Sequence, residues 1–239
     1  IWFFFTFGAT IVVGYLLYMG FLWLLGQPWF QALAQESTSA ADFVGRLVTA
    51  VKIVAGLFFT TWGLRFLDQF FLRDGLINRF GFFPRSSFSP FRLIFSNFLH
   101  GNMSHLVGNT RPLLAFSALA VLLLPDLSLL VPIFLFLMVV QGIGVWFFGR
   151  KLSSHIGASG LVLGLFSFDL FHGLFAGSWK TAVALILLLV SGRAAFRTLT
   201  SRGPLPGGAE ISVAGHVWGF LGGIFAAYPI SPFGPFAVG

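Results

Sequence analysis

Residues 157–175 read GASGLVLGLFSFDLFHGLF, a mainly apolar stretch that begins with a serine set between glycines. A hydrocarbon core about 30 Å thick is crossed by about 20 apolar residues of α-helix, so this stretch is long enough to span it. Backbone N–H and C=O groups meet no water there, and a helix satisfies them internally. The stretch therefore predicts a membrane-spanning helix with Ser159 at its first turn.

The composition of the whole chain agrees with that prediction. Of its 239 residues, 57% are hydrophobic and only 9% are charged, which excludes a water-soluble domain. The 14 basic residues are scattered among apolar segments and form neither a stripe nor a patch, so the net charge of +7 does not indicate a nucleic-acid partner. The absence of cysteine excludes disulfides and thiol chemistry. We expect an integral membrane protein in contact with the lipid bilayer.

About seven segments have the length and composition of spanning helices, which predicts an all-α, polytopic transmembrane bundle. The predicted segments are 1–26, 47–70, 103–124, 129–148, 157–175, 179–200 and 211–228. The first could be the apolar region of a signal peptide or a true span, and its length and lack of a basic start favour a span or signal-anchor. The chain begins with Ile1 rather than Met, which leaves room for residues upstream.

Two connecting regions divide the chain further. Residues 27–46 are the most polar connector, so we expect 1–26 to be an extra N-terminal helix, 47–228 a six-helix membrane domain and 229–239 a C-terminal tail. Residues 71–102 are rich in Phe, Arg and Pro, a composition that favours short helices lying in the membrane interface.

Helices alternate in direction across a bilayer, so the segments that begin near residues 103, 157 and 211 run the same way. Their first turns therefore share one side of the membrane. At a rise of about 1.5 Å per residue, four polar side chains fall within several Å of one depth. These are His105, Asn109, Ser159 and His216. Spacing alone predicts a polar cluster below one membrane face.

These four side chains have complementary chemistry. A neutral serine hydroxyl needs an adjacent base to become a good nucleophile, and histidine titrates near neutral pH, so Ser159 and His216 can form a dyad. A histidine within a spanning helix is a candidate functional residue because burying an ionisable group there is costly. His105 and Asn109, at i and i+4 on one helical face, can donate to a common point. Together the four predict serine hydrolysis.

Each element also has a simpler interpretation. Glycines spaced along two helices are what close helix packing in lipid requires, with or without catalysis. Gly157, Gly160 and Gly164 lie on one predicted helix, and Gly215, Gly219 and Gly223 lie on another. His105 taken alone is also typical of an interfacial histidine hydrogen-bonded to a loop.

Three motifs read GASG at 157–160, GHVWG at 215–219 and HGNMSHLVGN at 100–109. Together they resemble the rhomboid intramembrane serine proteases of bacterial type, which carry a GxSG serine, a histidine in a Gly-rich last helix and an HxxxxHxxxN pattern. The resemblance covers about residues 50–228 and includes Phe91-Arg92, where rhomboids usually have Trp-Arg.

The resemblance implies a role for each residue. Ser159 would be the nucleophile and His216 its base, while His105, Asn109 and the backbone N–H of Ser159 would form the oxyanion hole. The implied reaction is cleavage of transmembrane segments of other membrane proteins through an acyl-enzyme, without metal or cofactor. The implied fold is a six-helix bundle opened by a water-filled cavity, with the N-terminal helix added to it.

Two features differ from the family. Leu163 stands four residues after the serine, where many rhomboids have an aromatic residue stacked on the histidine. Rhomboids of the bacterial cytoplasmic membrane open their site to the extracytoplasmic side, which places several basic loop residues outside, against the positive-inside rule. Those residues are Arg73, Arg79, Arg85, Arg92, Arg150, Lys151 and Arg202.

Other groups are not expected in the site. Asp169 lies about 15 Å beyond Ser159 along the same helix, too far to complete a triad, and is expected near the opposite interface. His155, just outside the serine helix, could gate or bind substrate, although a water-exposed loop histidine is the favoured interpretation. No HExxH motif is present, and the spacing of His100 and His105 does not put both on one helical face, so no metal site is predicted.

The alternative from another class is a non-catalytic rhomboid-like protein or a transporter that binds transmembrane clients or solutes. Pseudoproteases of this kind usually lose the serine or the histidine, and this chain has both. A transporter would tend to show paired repeats with broken helices, which the sequence does not show.

Overall fold

The computed structural model describes residues 40–86, 88–151, 153–201, 203 and 211–230. The chain divides into two compact units, Ile1–Val48 and Thr49–Gly239, and every candidate site residue lies in the second. The predicted N-terminal helix at 1–26 lies outside the described residues, as do most of the predicted connector and most of the tail.

The regular elements of the described residues are helices, which confirms the all-α class. An isolated antiparallel bridge joins Phe82 to His155. The α-helices are α1 (Ala40–Leu67), α2 (Gly75–Phe80), α3 (Pro90–Phe95), α4 (Met103–Leu123), α5 (Leu130–Phe148), α6 (Ser159–Ala176), α7 (Ser178–Thr200) and α8 (Val213–Ala227). A π-helical turn, Asp68–Leu72, follows α1, and 3₁₀ turns at Ser96–Phe98 and Leu127–Leu129 follow α3 and precede α5.

Five described segments are long and apolar enough to cross a membrane, so the chain is an integral, multi-pass membrane protein. They are Asp42–Leu72, Met103–Leu123, Leu127–Phe148, Ser159–Ala176 and Trp179–Thr200. The last predicted span is shorter than expected, because α8 has 15 residues and is about 22 Å long. Its start is set by Ser212, whose Oγ accepts the N–H of Gly215 at 3.0 Å.

One predicted boundary also differs from the structure. α1 begins at Ala40, so the last residues of the predicted connector are helical. The predicted interfacial loop contains the short helices α2 and α3, as its composition suggested. Two acidic side chains fix the start of this loop. Asp74 binds the Arg65 guanidinium at 2.7 Å, and the buried carboxylate of Asp68 accepts the N–H of Leu76 at 2.7 Å.

The helix α6 is buried along nearly its whole length and packs against α4, α5, α7 and α8. Its closest approach is to α8, where glycines on both helices let the two backbones meet. A Cβ atom on Gly219 would overlap the carbonyl of Gly160, and one on Gly223 would overlap the carbonyl of Gly164. The two backbones therefore touch, and this contact brings the start of α6 beside α8.

Candidate active site

Ser159 and His216 face each other across the α6–α8 contact. The Oγ atom of Ser159 lies 2.8 Å from Nε2 of His216, so the hydroxyl can donate to a neutral imidazole. His216 is only 2% exposed, whereas Ser159 is partly exposed and lines a cavity. A serine hydroxyl held on a buried base, with its oxygen open to a cavity, has the geometry of an activated nucleophile.

The turn before α6 directs Ser159 toward that base. Gly157 has φ +104°, in the left-handed region that strains residues with a side chain. Its N–H donates to the carbonyl of Ser96 at 3.0 Å, which fixes the turn against the segment after α3. Ser159 is the first residue of α6, so its own N–H has no partner within the helix and is available to a ligand.

His105 and Asn109 lie on the other side of Gly157. Asn102 caps α4 and accepts the N–H of His105 at 2.8 Å, which starts the helix just before these two residues. A Cβ atom on Gly157 would overlap the His105 ring, with His105 Nε2 at 2.7 Å and Asn109 Nδ2 at 3.6 Å. The Asn109 Nδ2 atom is buried and has no hydrogen-bond partner in the described part of the chain. Two side-chain donors thus converge beside Ser159.

A cavity of about 260 Å³ joins these groups. Its wall includes the four predicted residues together with apolar side chains such as Phe82, Leu93 and Val145. Gln141 on α5 also lines it, and its Oε1 is buried without a partner among the described residues. The sequence interpretation missed Gln141 because a single glutamine in an apolar segment has no motif around it.

His100 supports His105 from behind. The two rings meet edge to face, with centroids 5.1 Å apart, and His100 is buried. Burial, with smaller contributions from His105 and Arg65, lowers the pKa of His100 to about 3. Its Nδ1–H donates to the carbonyl of Phe98 at 3.3 Å. His100 is therefore neutral at ordinary pH and provides a fixed ring against which His105 packs.

No carboxylate of the described residues contacts the base. Nδ1 of His216 has no hydrogen-bond partner there, and the carbonyl of Thr198 at the end of α7 lies beside the ring. Leu163, at the family's usual aromatic position, is buried. Asp169 is completely buried inside the bundle, and neither of its oxygens has a partner among the described residues.

His155 also differs from its prediction. It is buried rather than exposed, because its backbone pairs with that of Phe82 in both directions, at 2.9 and 3.2 Å. Its Nε2 lies 3.0 Å from the Oγ atom of Ser153, and the ring lines the cavity. The long-range pairing with the first loop could not be read from the local sequence.

Comparison with known proteins gives one family. Residues 87–233 match the model of the Rhomboid domain. An uncharacterized protein of Mycobacterium bovis and one of Mycobacterium tuberculosis are each 36% identical over 145 residues, which is 58% of this chain and 58% of the relative. An uncharacterized protein of Mycobacterium leprae is 32% identical over 142 residues. The match therefore spans less than two thirds of these relatives, 58% of the first two and 55% of the third.

Proposed function

Since the chain belongs to the rhomboid family, we propose that it is an intramembrane serine endopeptidase that cleaves transmembrane segments of other membrane proteins. The observation that carries this proposal is the 2.8 Å contact between Ser159 Oγ and His216 Nε2 at the edge of a cavity. We assign the catalytic domain to residues 47–228. The curated relatives are uncharacterized, so the activity rests on the geometry of the site.

In the proposed reaction, Ser159 Oγ attacks the scissile carbonyl carbon while Nε2 of His216 takes the hydroxyl proton. The carbonyl oxygen becomes an oxyanion that accepts hydrogen bonds from His105, Asn109 and the N–H of Ser159. When the carbonyl re-forms, the C–N bond breaks and His216 gives its proton to the leaving amine. Water then attacks the acyl-enzyme with His216 as base, and both the acid product and the Ser159 hydroxyl are released.

The magnitudes of these effects suit a protease. A positioned general base contributes about 10²–10⁴-fold, and each oxyanion donor about 10²–10³-fold. Because a helical substrate hides its scissile carbonyl in backbone hydrogen bonds, segments with small or helix-breaking residues should be cleaved faster. The cavity also has to admit water for the second step.

The dyad can be tested with a fluorophosphonate probe and a transmembrane reporter substrate. We expect Ser159→Ala and His216→Ala each to lose both labelling and cleavage. The matched control is Ser167→Ala, which removes another serine of the same helix, whose hydroxyl donates to the carbonyl of Phe220 at 2.7 Å. The dyad is refuted if Ser159→Ala cleaves the reporter at the wild-type rate. Wild-type protein that neither labels nor cleaves would support the non-catalytic or transporter alternative.

We also propose that the protein lies in a bacterial cytoplasmic membrane with its site on the extracytoplasmic side. The chain contains no cysteine, so single cysteines can be labelled without background. Lys151→Cys reports on the loop next to the site, and Ser128→Cys reports on the turn before α5. An impermeant maleimide added to intact cells should label the first and spare the second, and the reverse pattern would contradict this orientation.

A further inference from the structure

Six cations lie in two loops on the side of the bundle that holds the dyad. Because helices alternate in direction, the loop between α1 and α4 and the loop between α5 and α6 are on that side. We call these residues the basic rim: Arg73, Arg79, Arg85, Arg92, Arg150 and Lys151. The turn between α4 and α5, on the other side, carries only the acidic Asp126.

Three members of the basic rim, Arg73, Arg79 and Lys151, are available to a ligand. All of its members except Arg92 are exposed. Arg73, Arg79 and Lys151 form no ion pair with any described residue, and the nearby acid Asp74 is bound to Arg65. These three cations repel one another, so an anionic partner would stabilise them.

Arg85 has a different function within the basic rim. Its guanidinium donates to the carbonyls of Phe147 at 2.6 Å, Gly149 at 2.7 Å and Trp146 at 3.4 Å. These are the last carbonyls of α5 and its cap, which have no partner within the helix. Arg85 therefore joins the two loops of the basic rim to each other.

Exposed aromatic side chains lie beside these cations. Phe88, Phe91, Phe147 and Phe148 are each more than half exposed. The guanidinium of Arg79 lies 5.5 Å from the ring centre of Phe80, which in turn packs edge to face against Phe91. Exposed aromatic rings among cations are typical of the headgroup layer of a membrane, so they favour a lipid partner over an acidic segment of a soluble protein.

We propose that the basic rim binds the phosphate groups of anionic phospholipids. This inference goes beyond the proposed protease function and does not depend on it. Each Lys or Arg near an anionic membrane surface contributes about 1 kcal/mol, which is about fivefold in affinity. Arg73, Arg79 and Lys151 together should therefore contribute about a hundredfold.

The test uses the full chain in vesicles of neutral phosphatidylcholine with or without phosphatidylglycerol. Enrichment of phosphatidylglycerol around the protein is measured with spin-labelled lipids, a readout that needs no protease activity. The variant combining Arg73→Gln, Arg79→Gln and Lys151→Gln should lose about a hundredfold in relative phosphatidylglycerol affinity. Lys180→Gln, at the opposite end of the bundle, is the control and should lose at most about fivefold.

Three results would overturn the proposal. The triple variant could enrich phosphatidylglycerol as strongly as the wild type does, or Lys180→Gln could lose as much enrichment as the triple variant. The third result is an enrichment around the wild type that does not weaken as salt is raised. An acidic peptide that binds the wild type in neutral vesicles, without any preference for phosphatidylglycerol, would make the basic rim a protein-binding surface instead. Thermal unfolding of each variant in neutral vesicles shows whether a loss comes from misfolding.

Discussion

Asn109 offers a prediction that separates catalysis from stability. Its Nδ2 atom is buried and has no partner among the described residues, yet it points to the same space as the His105 ring. In the proposed mechanism that donor is used only when the oxyanion forms. Asn109→Ala should therefore lower kcat by about 10²–10³-fold, equivalent to about 2.7–4 kcal/mol of transition-state stabilisation. The loss of an unused hydrogen bond should cost little stability.

Asn97 is the matched control for this prediction. It is equally buried, but its Nδ2 already donates to the carbonyls of Leu93 at 2.9 Å and Ile94 at 3.1 Å. Asn97→Ala should therefore lower the free energy of unfolding by about 1–3 kcal/mol and leave kcat close to wild type.

The two variants are compared by single-turnover cleavage of a transmembrane reporter and by thermal unfolding in one detergent. The opposite pattern would refute the reasoning: an Asn109→Ala variant that is less stable but cleaves at the wild-type rate. Such a result would assign Asn109 to packing rather than to the oxyanion.

Three further predictions follow from contacts elsewhere. Gly219→Ala should lower the free energy of unfolding by about 1–3 kcal/mol, and with it the unfolding temperature, because its Cβ would overlap the carbonyl of Gly160. The control, Gly56→Ala, lies in open space on α1 and should be neutral or stabilising. Equal effects of the two substitutions would contradict this account. Gly157→Ala should lower the free energy of unfolding by only about 1–2 kcal/mol, the cost of a side chain at φ +104°. It should lower kcat more strongly, because the added methyl group displaces an oxyanion donor. An unchanged kcat would argue against the assignment. The folded-state pKa of His100, about 3, lies below its ordinary value of 6.5. Between these two values the unfolded chain binds a proton that the folded protein does not. The free energy of unfolding should therefore fall by about 1.4 kcal/mol for each pH unit below 6.5. Chemical denaturation across pH 4–7 should show a shallower slope for His100→Gln than for wild type, and identical slopes would disprove the link.

No described carboxylate contacts the His216 imidazole, so other contacts must orient this base. Leu163 replaces the expected aromatic ring, and no described acid contacts Nδ1. What holds the imidazole is the packing of α8 on α6, with the Thr198 carbonyl beside it. The orientation of the base thus depends on helix contact and on the position of the end of α7.

Much of the fold could be predicted because span length is a local property. A run of about 20 apolar residues has few alternatives to a helix in lipid, so the segments at 103–124, 129–148 and 179–200 match α4, α5 and α7 closely. The end positions were less predictable. The start of α8 depends on the Ser212 cap, and the burial of His155 depends on pairing with a segment more than 70 residues earlier.

The sequence by itself determined the class of protein and the spans, and it predicted that the four candidate residues share one side of the membrane, because hydropathy and helix alternation depend only on the order of residues. Only the tertiary structure decided that Ser159 and His216 come within 2.8 Å, since that distance requires the glycines of α6 and α8 to let two backbones touch. It also decided that Asp169 lies inside the bundle. Contacts between distant segments depend on how helices pack, which no local pattern contains.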